Sequence, residues 1–592
     1  MVPWELVFAI VPGLILFFYG IENFSREILA VAKGSFNRIL GRVTTRPVVG
    51  ALLGAGVTAL VQSSAATTII TIGLVNAGTL SFLQSLGIII GSNIGTTVTA
   101  QLVAFKMTAF GQVLIPVGFL VGIFGGRYKF LGKPLFYFGL VLFSLNLVST
   151  ALAPYQSDPE IVGIITEFSS LPLAILIGFL FTAMVQSSSV TTGLVVVLAQ
   201  QGLLTLPQAI PILLGANIGS TTTTLIASAR MNLYSRRAAA AHFIFNLGGV
   251  LLVLPFLVPF TGVVETIGGT EAQMVANAHL IFNLIAAAVF LLFIGQFKRL
   301  VERAVPGSEP EILMRTRYLE DGIPDDTHLG LELIQKELRH AHEITLDLFR
   351  ASMTCLATGR EADYQMVEKL ESLNDYLDER IEQALRALSK RALSGSGATG
   401  VVYLARMSNE IERLGDLGAD LGEFSHKASR GGKAVPAALM QRTESIYRIL
   451  EENIVGLGIF FPGILDATVA ELRARDVELQ RAINDHYREH LVSLRVEGDI
   501  ADSSFLEILS IIEAANAKVR DLRKLAEQYS LQKRSESSLP GVEKPFALGD
   551  AVPGDNLQGV ADLPVQRRVP GIDVQEGRGG ELGGRGDHDE IL

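Results

Sequence analysis

The chain of 592 residues has room for several domains, and its charge divides it into two parts. Residues 1–300 carry 14 Lys and Arg against 8 Asp and Glu, whereas the rest of the chain carries 35 against 51. The first part is typical of a membrane domain and the second of an acidic soluble one. Basic residues are not gathered on a polar domain, which argues against nucleic-acid binding. The single cysteine, Cys355, excludes an internal disulfide.

Several apolar runs in the first part are long enough to enter a bilayer. They lie near 4–20, 47–75, 82–105, 109–125, 134–153, 171–200, 207–228, 238–260 and 273–297. Lys and Arg between the runs predict cytoplasmic segments. The first predicted cytoplasmic loop carries Arg26, Lys33, Arg38, Arg42 and Arg46. Segments around Glu167 and Glu265 lack basic residues, so we expect them outside the cell.

A polar motif occurs twice, 124 residues apart, in tracts without charged side chains. The copies read Gly54-x3-Thr58-Ala59-x-Val61-Gln62-Ser63-Ser64-x-x-Thr67-Thr68 and Gly178-x3-Thr182-Ala183-x-Val185-Gln186-Ser187-Ser188-x-x-Thr191-Thr192. The matched segments that follow them are Gly91-Ser92-Asn93-Ile94-Gly95-Thr96-Thr97-Val98-Thr99 and Gly215-Ala216-Asn217-Ile218-Gly219-Ser220-Thr221-Thr222-Thr223. Polar groups at membrane depth are costly unless they face protein, water or a ligand. Helix packing would explain one copy, but two copies in register favour a functional site.

The predicted sides of the membrane give the two copies opposite orientations. The first copy is entered from the cytoplasm after Arg46, and the second from outside after Glu167. Two similar units of opposite orientation form an inverted repeat, which is typical of secondary transporters. We therefore expect an all-α fold: a polytopic membrane domain at 1–300, whose inverted repeats at about 47–153 and 171–297 contain broken re-entrant hairpins, followed by a cytosolic helical bundle.

Because the doubled tracts lack Lys and Arg, an anion there must be neutralised by cations that enter with it and by helix dipoles. Sodium is a hard cation that takes oxygen ligands, and the expected set is Gln62, Ser63, Thr96, Thr99, Gln186, Ser187, Ser220 and Thr223. An oxyanion such as phosphate is matched by hydroxyls and backbone N–H groups at half-helix starts. Its expected ligands are Gln62, Ser63, Ser64, Asn93, Gln186, Ser187, Ser188 and Asn217.

Spacing refines these assignments. Thr96 and Thr99 are three residues apart and should share a helix face, as should Ser220 and Thr223. Glycine tolerates unusual backbone conformations, so we expect the helices to unwind and approach an ion at the motif glycines. These are Gly91, Gly95, Gly215 and Gly219.

The paired segments Gln62–Ser64 and Gln186–Ser188 resemble those of the type II sodium–phosphate cotransporter family, and the similarity covers roughly residues 5–300. The resemblance implies that sodium ions drive inorganic phosphate into the cell, with ions and substrate bound between the two repeats. It also implies a multi-pass protein of the plasma or inner membrane.

Two further segments match each other, His242-Phe243-Ile244-Phe245-Asn246 and His279-Leu280-Ile281-Phe282-Asn283. His and Asn four apart share a helix face. Fastening one membrane helix to its neighbour is the favoured role, while a direct role in proton or substrate binding stays open. Arg236 and Arg237 are interpreted as topology determinants.

The second part of the chain begins with a linker at 301–326, which contains Pro and Gly breakers. Heptad-like apolar spacing and five later breaks predict six helices in a cytosolic domain at 327–532. The tail at 533–592 is rich in Gly, Pro and charged residues, so we expect it to be disordered.

The soluble domain resembles the PhoU-like family of helical bundles through Glu412-Arg413-Leu414-Gly415-Asp416-Leu417-Gly418-Ala419-Asp420. Acids four apart form a stripe on one helix face, so Glu412, Asp416 and Asp420 are candidate ligands of a metal ion, with a solvated acidic face as the alternative. In the second copy of the motif, Ala517 replaces the central acid. The resemblance implies a regulatory domain.

The sequence thus predicts a sodium-coupled phosphate symporter that works by alternating access between its repeats. Symport of a carboxylate or sulfate, or a phosphate sensor that does not transport, are the alternatives. An enzyme is disfavoured, because the sequence shows no His–carboxylate, nucleophile or P-loop arrangement. The expected partners are phosphate, sodium and the lipid bilayer, while a cytosolic regulatory protein or a second copy of the chain stays open.

Overall fold

The computed structural model describes most of the chain between Trp4 and Ser537. The described residues are 4–41, 46–105, 107–156, 158, 163, 170–307, 311–319, 322–391, 395–430, 437–458, 466–497 and 503–537. Helices are the regular secondary structure throughout these residues, which contain no strand. The all-α prediction is therefore confirmed. Residues 533–537 of the predicted disordered tail belong to the last helix instead, and the rest of that tail lies outside the described residues.

The first part of the chain contains fourteen α-helices among the described residues. They are α1 Trp4–Gly41, α2 Pro47–Val61, α3 Ser64–Asn76, α4 Phe82–Ala104, α5 Gly111–Phe124, α6 Gly132–Leu152, α7 Leu171–Val185, α8 Ser188–Gln200, α9 Leu206–Gly219, α10 Thr222–Ser228, α11 Leu233–Val253, α12 Leu257–Ile267, α13 Glu271–Leu292 and α14 Ile294–Ala304. Short 3₁₀ turns connect several of them.

Six helical segments in the described part are long and apolar enough to cross a membrane. They are Phe82–Ala104, Met107–Phe124, Gly126–Tyr155, Leu206–Ser228, Leu233–Ile267 and Glu271–Leu292. The helices on either side of the two motif breaks, α2, α3, α7 and α8, have only 13 to 15 residues. A helix that crosses the bilayer needs about 20 residues, so none of these four is long enough to span it alone.

The first predicted cytoplasmic segment is a helix and not a loop, because α1 continues to Gly41. Its cytoplasmic side stays a prediction. An ion pair of 3.0 Å between Glu22 and Arg26, one turn apart, supports the helix on its polar side. Ile21 is buried, and Ile28 packs on an apolar cluster with residues of α2 and α3. The segment is therefore an amphipathic continuation of α1. Arg42 lies outside the described residues.

Glycines allow each repeat to pack its motif helices at very short range. A Cβ on Gly91 of α4 would lie 1.9 Å from the carbonyl oxygen of Ala51, and one on Gly215 of α9 would lie 1.9 Å from that of Ile175. The predicted unwinding does not occur at Gly91, Gly95 or Gly215, which lie inside helices, whereas α9 ends at Gly219. These glycines let two helix backbones touch, as small residues do in membrane proteins.

The second part of the chain forms a helical bundle with its own apolar core. Six helices occur among the described residues: α15 Thr327–Thr358, α16 Glu361–Ser389, α17 Gly395–Arg430, α18 Ala437–Gly458, α19 Asp466–Glu497 and α20 Ser503–Ser537. Their apolar faces bury residues from all six, including Leu338, Leu377, Leu414, Leu450 and Leu479. Between the two parts, residues 311–319 have no regular secondary structure.

Candidate functional site

The first motif copy breaks a helix at Gln62. This residue ends α2 in the left-handed conformation, with φ 61° and ψ 23°, and its N–H donates to the carbonyl oxygen of Thr58 at 2.7 Å. Ser63 is extended, with φ −146° and ψ 105°. Its Oγ accepts a hydrogen bond from the N–H of Ala66 and so caps α3. A non-glycine residue at positive φ is uncommon, so the chain holds a strained reversal here.

The second copy repeats this backbone almost without change. Gln186 ends α7 at φ 59° and ψ 23°, and its N–H donates to the carbonyl oxygen of Thr182 at 2.7 Å. Ser187 follows at φ −145° and ψ 108°. Among the described residues, Gln62 and Gln186 are the two non-glycine residues with positive φ. The sequence duplication is therefore also a duplication of an unusual backbone geometry.

A buried pair of threonines closes each break. The hydroxyls of Thr58 and Thr67 are 2.9 Å apart, and those of Thr182 and Thr191 are 2.6 Å apart. Each pair joins the helix before the break to the helix after it. The helices after the breaks begin at Ser64 and Ser188, both buried, so their first-turn N–H groups start at buried polar positions. Such helix starts favour anions.

The structure brings Gln62 together with Thr99 and with a residue of the second copy. The Thr99 hydroxyl donates to Gln62 Oε1 at 2.6 Å. The Ser189 hydroxyl lies 3.4 Å from the carbonyl oxygen of Gln62 and 3.5 Å from the hydroxyl of Thr99. Four oxygens from α4 and both breaks therefore converge, which is the kind of environment that a sodium ion requires. Gln186, in contrast, is exposed.

The remaining first-repeat candidates bond within their own helix. Asn93 Nδ2 donates to the carbonyl oxygen of Ile89 at 2.9 Å, and the Thr96 hydroxyl donates to that of Ser92 at 3.1 Å. Asn93 and Thr96 are both buried, and Thr96 and Thr99 share one uninterrupted helix, as predicted from their spacing.

The second repeat differs at the equivalent positions. The motif helix is interrupted, because α9 ends at Gly219 and α10 begins at Thr222. Ser220 and Thr221, between the two helices, keep right-handed helical dihedrals, with φ/ψ of −62°/−20° and −80°/−16°. The shared face of Ser220 and Thr223 therefore stays a prediction. The Ser220 hydroxyl donates to the carbonyl oxygen of Asn217 at 2.7 Å, whereas the buried hydroxyl of Thr223 has no hydrogen-bond partner. Pro211 inside α9 removes one backbone donor and weakens this helix.

Buried polar atoms without a partner are concentrated in the second repeat. Among the described residues of the membrane part, they are Thr192 Oγ1, Asn217 Nδ2, Thr223 Oγ1, His242 Nε2, Asn246 Oδ1, His279 Nδ1 and Asn283 Oδ1. Since a buried polar group without a partner costs free energy, these atoms mark where water, an ion or a substrate would be bound.

The two His–Asn segments contact the second-repeat motif helices. His279 Nε2 is 3.2 Å from Asn217 Oδ1, and His242 Nδ1 is 3.1 Å from the Thr224 hydroxyl. Both histidines are fully or almost fully buried. These contacts support the interpretation that the two histidines fasten neighbouring helices to each other. Because Asn217 Oδ1 faces His279, its Nδ2 donor is left without a partner.

Sequence reasoning missed Ser189, Thr68 and Ser92. Ser189 is the third serine of the second copy, where the first has Ala65, and this departure from the duplication was the available signal. Thr68 and Ser92 are buried with hydroxyls 3.4 Å apart, joining α3 to α4. They were hidden among many other membrane hydroxyls.

A cavity lies against Gln62 and Thr99. Its other lining residues are apolar: Ile21, Phe24, Leu102, Val103, Phe138, Val141, Leu142 and Leu145. Apolar walls offer no donors to a phosphate oxyanion, so this cavity is not the anion site.

The acidic stripe of the bundle is a cluster of carboxylates. Burial and then the neighbouring charges of Asp375 and Asp420 raise the pKa of Asp416. Burial and then Asp416 raise the pKa of Glu412, and burial and then Glu423 raise that of Asp420. Mutual repulsion of this kind is relieved by protons or cations. Within the described residues, however, no three His, Cys, Asp or Glu side chains are placed to hold a metal ion.

The second half of the bundle replaces this cluster with a neutralised one. Near Ala517, the Asn516 amide donates to Asp476 Oδ1 at 2.8 Å, and the Arg520 guanidinium pairs with the same carboxylate at 3.1 Å. The departure from the acidic motif therefore gives an ion pair instead of a second acidic stripe.

Fold and site together define a polytopic helical membrane protein with a duplicated polar break and an attached helical bundle. The family model of the Na+/Pi-cotransporter matches residues 16–150 and 158–304, and the PhoU domain model matches residues 338–425. The chain belongs to the Na+/Pi-cotransporter family and carries a PhoU domain, which confirms the family predicted from its motifs.

Three relatives show how far the similarity extends. The uncharacterized protein YqeW of Bacillus subtilis is 34% identical over 298 residues, covering 50% of this chain and 97% of that protein. A protein of Salmonella typhimurium named "Putative inorganic phosphate export protein YjbB" is 24% identical over 482 residues, covering 80% of this chain and 88% of that protein. The mouse sodium-dependent phosphate transport protein 2C is 46% identical over 91 residues, covering 15% of each chain. No solved structure matches the chain.

Proposed function

We propose that this protein moves inorganic phosphate across the cell membrane by sodium-coupled symport. The carrying observation is the duplicated break, in which Gln62 and Gln186 adopt the same left-handed geometry among buried, uncharged oxygens. Membership of the Na+/Pi-cotransporter family supports phosphate transport. The name of its mouse relative supports sodium as the coupled ion.

Sodium ions would be held first by the oxygens of Gln62, Thr99 and Ser189, which already lie within hydrogen-bond distance of one another. The motif tracts carry no Lys or Arg, so phosphate would enter a site whose positive charge comes from these cations and from the starts of α3 and α8. The free Nδ2 donor of Asn217 is the best-placed side-chain donor for the anion.

Alternating access would follow from the two repeats having opposite orientations in the membrane. The short helices α2, α3, α7 and α8 would form re-entrant hairpins that carry the breaks to membrane depth. The basic residues Lys298 and Arg299 before the linker would place the bundle in the cytosol, where the PhoU domain would regulate transport.

Transport is tested with purified protein in sealed liposomes. With an inward sodium gradient, labelled phosphate should accumulate inside, and excess sulfate or succinate should not compete. Equal accumulation with potassium or choline in place of sodium would refute the coupling. Tight phosphate binding without accumulation would instead identify a sensor.

Export is a second candidate for direction, because the relative named for phosphate export matches 482 residues, or 80% of this chain, and so extends beyond the membrane part. Liposomes loaded with phosphate distinguish the two directions. Phosphate loss that needs no sodium gradient would favour export, whereas loss that follows an outward sodium gradient would show a reversible symporter running backwards.

A further inference from the structure

Both motif helices begin with a capping box, Ser81–Gln84 in α4 and Thr205–Gln208 in α9, but the carboxylate that also caps the first N–H group comes from a different part of the chain. Phe82 begins α4 and Leu206 begins α9, at equivalent positions 124 residues apart. The N–H of Leu206 donates at 3.0 Å to the carboxylate of Glu271, which belongs to helix α13 of the same membrane part. The N–H of Phe82 donates to the carboxylate of Glu311, which lies in the linker to the bundle. The carboxylate cap of α9 therefore comes from the membrane part itself, and that of α4 comes from the linker.

The turn before α4 shows the same asymmetry. Gly78 and Gly202 are equivalent, with φ of 69° and 71°. The N–H of Met314 donates to the carbonyl oxygen of Gly78 at 2.9 Å, and a Cβ on Gly78 would lie 2.6 Å from the carbonyl oxygen of Ile312. A Cβ on Gly202 would meet nothing within 4 Å. The linker thus covers the first-repeat turn only.

The same linker residues are part of the bundle. Ile312 and Met314 pack against the apolar core of the bundle, in which Leu319 is buried. The N–H groups of Arg317 and Tyr318 donate to the carboxylate of Glu337, at 3.1 and 2.7 Å. Glu337 is completely buried in α15 and also contacts His340 at 2.8 Å.

A second anchor lies earlier in the linker. The buried guanidinium of Arg237, in α11, donates to the carbonyl oxygens of Val305 and Gly307, both at 3.0 Å. Arg237 is therefore more than the topology determinant that its charge indicated, because it fixes the path by which the chain leaves the membrane part.

We propose that residues 311–319 are a coupling strap through which the bundle restrains α4, the helix that carries Asn93 and Thr99. Glu311 gives the first repeat the cap that Glu271 gives the second, but this cap belongs to a segment held by Glu337 of the bundle. A rearrangement of the bundle therefore moves the cap, and α4 gains or loses it. The strap slows phosphate flux while it is docked.

The test uses the full-length protein and hydrogen–deuterium exchange of peptides that contain Phe82 and Leu206. Glu311→Ala removes the acceptor and should raise exchange at Phe82 about fivefold, the effect of losing one helix cap, and leave exchange at Leu206 unchanged. The matched variant Glu271→Ala should do the reverse. Unchanged exchange at Phe82 in Glu311→Ala would overturn the proposal.

The variant Glu337→Gln tests whether the bundle influences the cap of α4, because it alters no residue in contact with α4. We expect faster exchange at Phe82 in this variant, and no change with the exposed neighbouring variant Lys336→Gln. Wild-type exchange at Phe82 while the core of α15 stays protected would contradict the coupling. If Glu337→Gln unfolds the bundle, Gly78→Ala tests the coupling instead. Gly78→Ala should raise exchange at Arg317–Leu319, and Gly202→Ala should not. Equal exchange at Arg317–Leu319 in these two variants would overturn the proposal.

The flux measurement rests on the proposed phosphate transport, whereas the exchange measurements do not. Glu311→Ala and Gly78→Ala should raise the initial rate of phosphate flux into liposomes about fivefold, while Gly202→Ala should not. An unchanged rate with altered exchange would show that the strap docks without regulating. A complete absence of flux in the wild type would count against the proposed function and leave the exchange result standing.

Discussion

The two motif copies have the same backbone but different surroundings. Gln62 is 5% exposed and bonded to Thr99, while Gln186 is exposed. The first motif helix is continuous, and the second is interrupted after Gly219. Among described residues, the unpartnered buried polar atoms of the membrane part all lie in the second copy's half. Duplication thus reproduces the local fold, but neighbouring helices decide which copy has polar atoms free to bind a ligand.

The largest effect is expected where the two copies are most alike. Gly91→Ala and Gly215→Ala each place a Cβ 1.9 Å from a backbone carbonyl oxygen, which cannot move without shifting a helix. We expect each to destabilise the protein by about 3 kcal/mol or to abolish folding. Gly56→Ala is the matched control, since a Cβ there meets nothing within 4 Å.

The measurement for this pair is the thermal unfolding temperature and the yield of monodisperse protein in detergent. If Gly91→Ala behaves like Gly56→Ala, the close approach of α4 to α2 is wrong. If only one of the two motif glycines matters, the repeats pack differently despite their matching distances.

The glycine positions also show what sequence reasoning could and could not establish. The helix breaks were located at Gln62 and Gln186 because the duplication marked them. The role of Gly91 was misjudged, since a sequence does not say which neighbour a glycine faces. Likewise, basic residues interrupt the apolar pattern of α1 beyond Phe18, so the sequence predicts a loop where the structure has a helix.

The sequence could not predict the coupling strap or the difference in polar contacts between the two repeats, for a different reason. Glu311 is one of several acids in the linker, and nothing in its local sequence indicates that it caps a helix 229 residues earlier in the chain. The contact of His279 with Asn217 is also long-range. Local patterns predicted elements and breaks; contacts between distant segments came only from the fold.

The second prediction separates the two glutamines. In Gln62→Ala, the buried Thr99 hydroxyl loses its 2.6 Å acceptor, which costs about 1 to 3 kcal/mol. We expect the sodium concentration for half-maximal phosphate flux to rise about tenfold. Gln186→Ala removes an exposed side chain and should raise it only about threefold. Sodium activation curves in liposomes measure both.

Gln62→Gly and Gln186→Gly are the controls for backbone strain, because glycine adopts the left-handed conformation without cost. If the Gly variants restore sodium activation that the Ala variants lose, strain and not the amide is responsible. Wild-type curves for both Ala variants would contradict the assignment of these residues as sodium ligands.

The smallest effect is expected from His279, which acts through Asn217. In His279→Leu the amide of Asn217 loses the partner that lies 3.2 Å from its Oδ1, so the direction of its Nδ2 donor is no longer fixed. One hydrogen bond of about 1 kcal/mol should raise the phosphate concentration for half-maximal flux about fivefold, with the maximal rate less affected. His242→Leu is the matched control, because His242 is equally buried but contacts Thr224.

His279→Gln keeps a hydrogen-bonding group and should recover most of the phosphate affinity. Equal losses in His279→Leu and His242→Leu would mean that both histidines only fill space between helices. The two copies would then differ in burial alone, and the unpartnered donor of Asn217 would have no part in binding phosphate. A loss confined to His279→Leu would instead assign the anion to the second repeat, which is where the free polar atoms already lie.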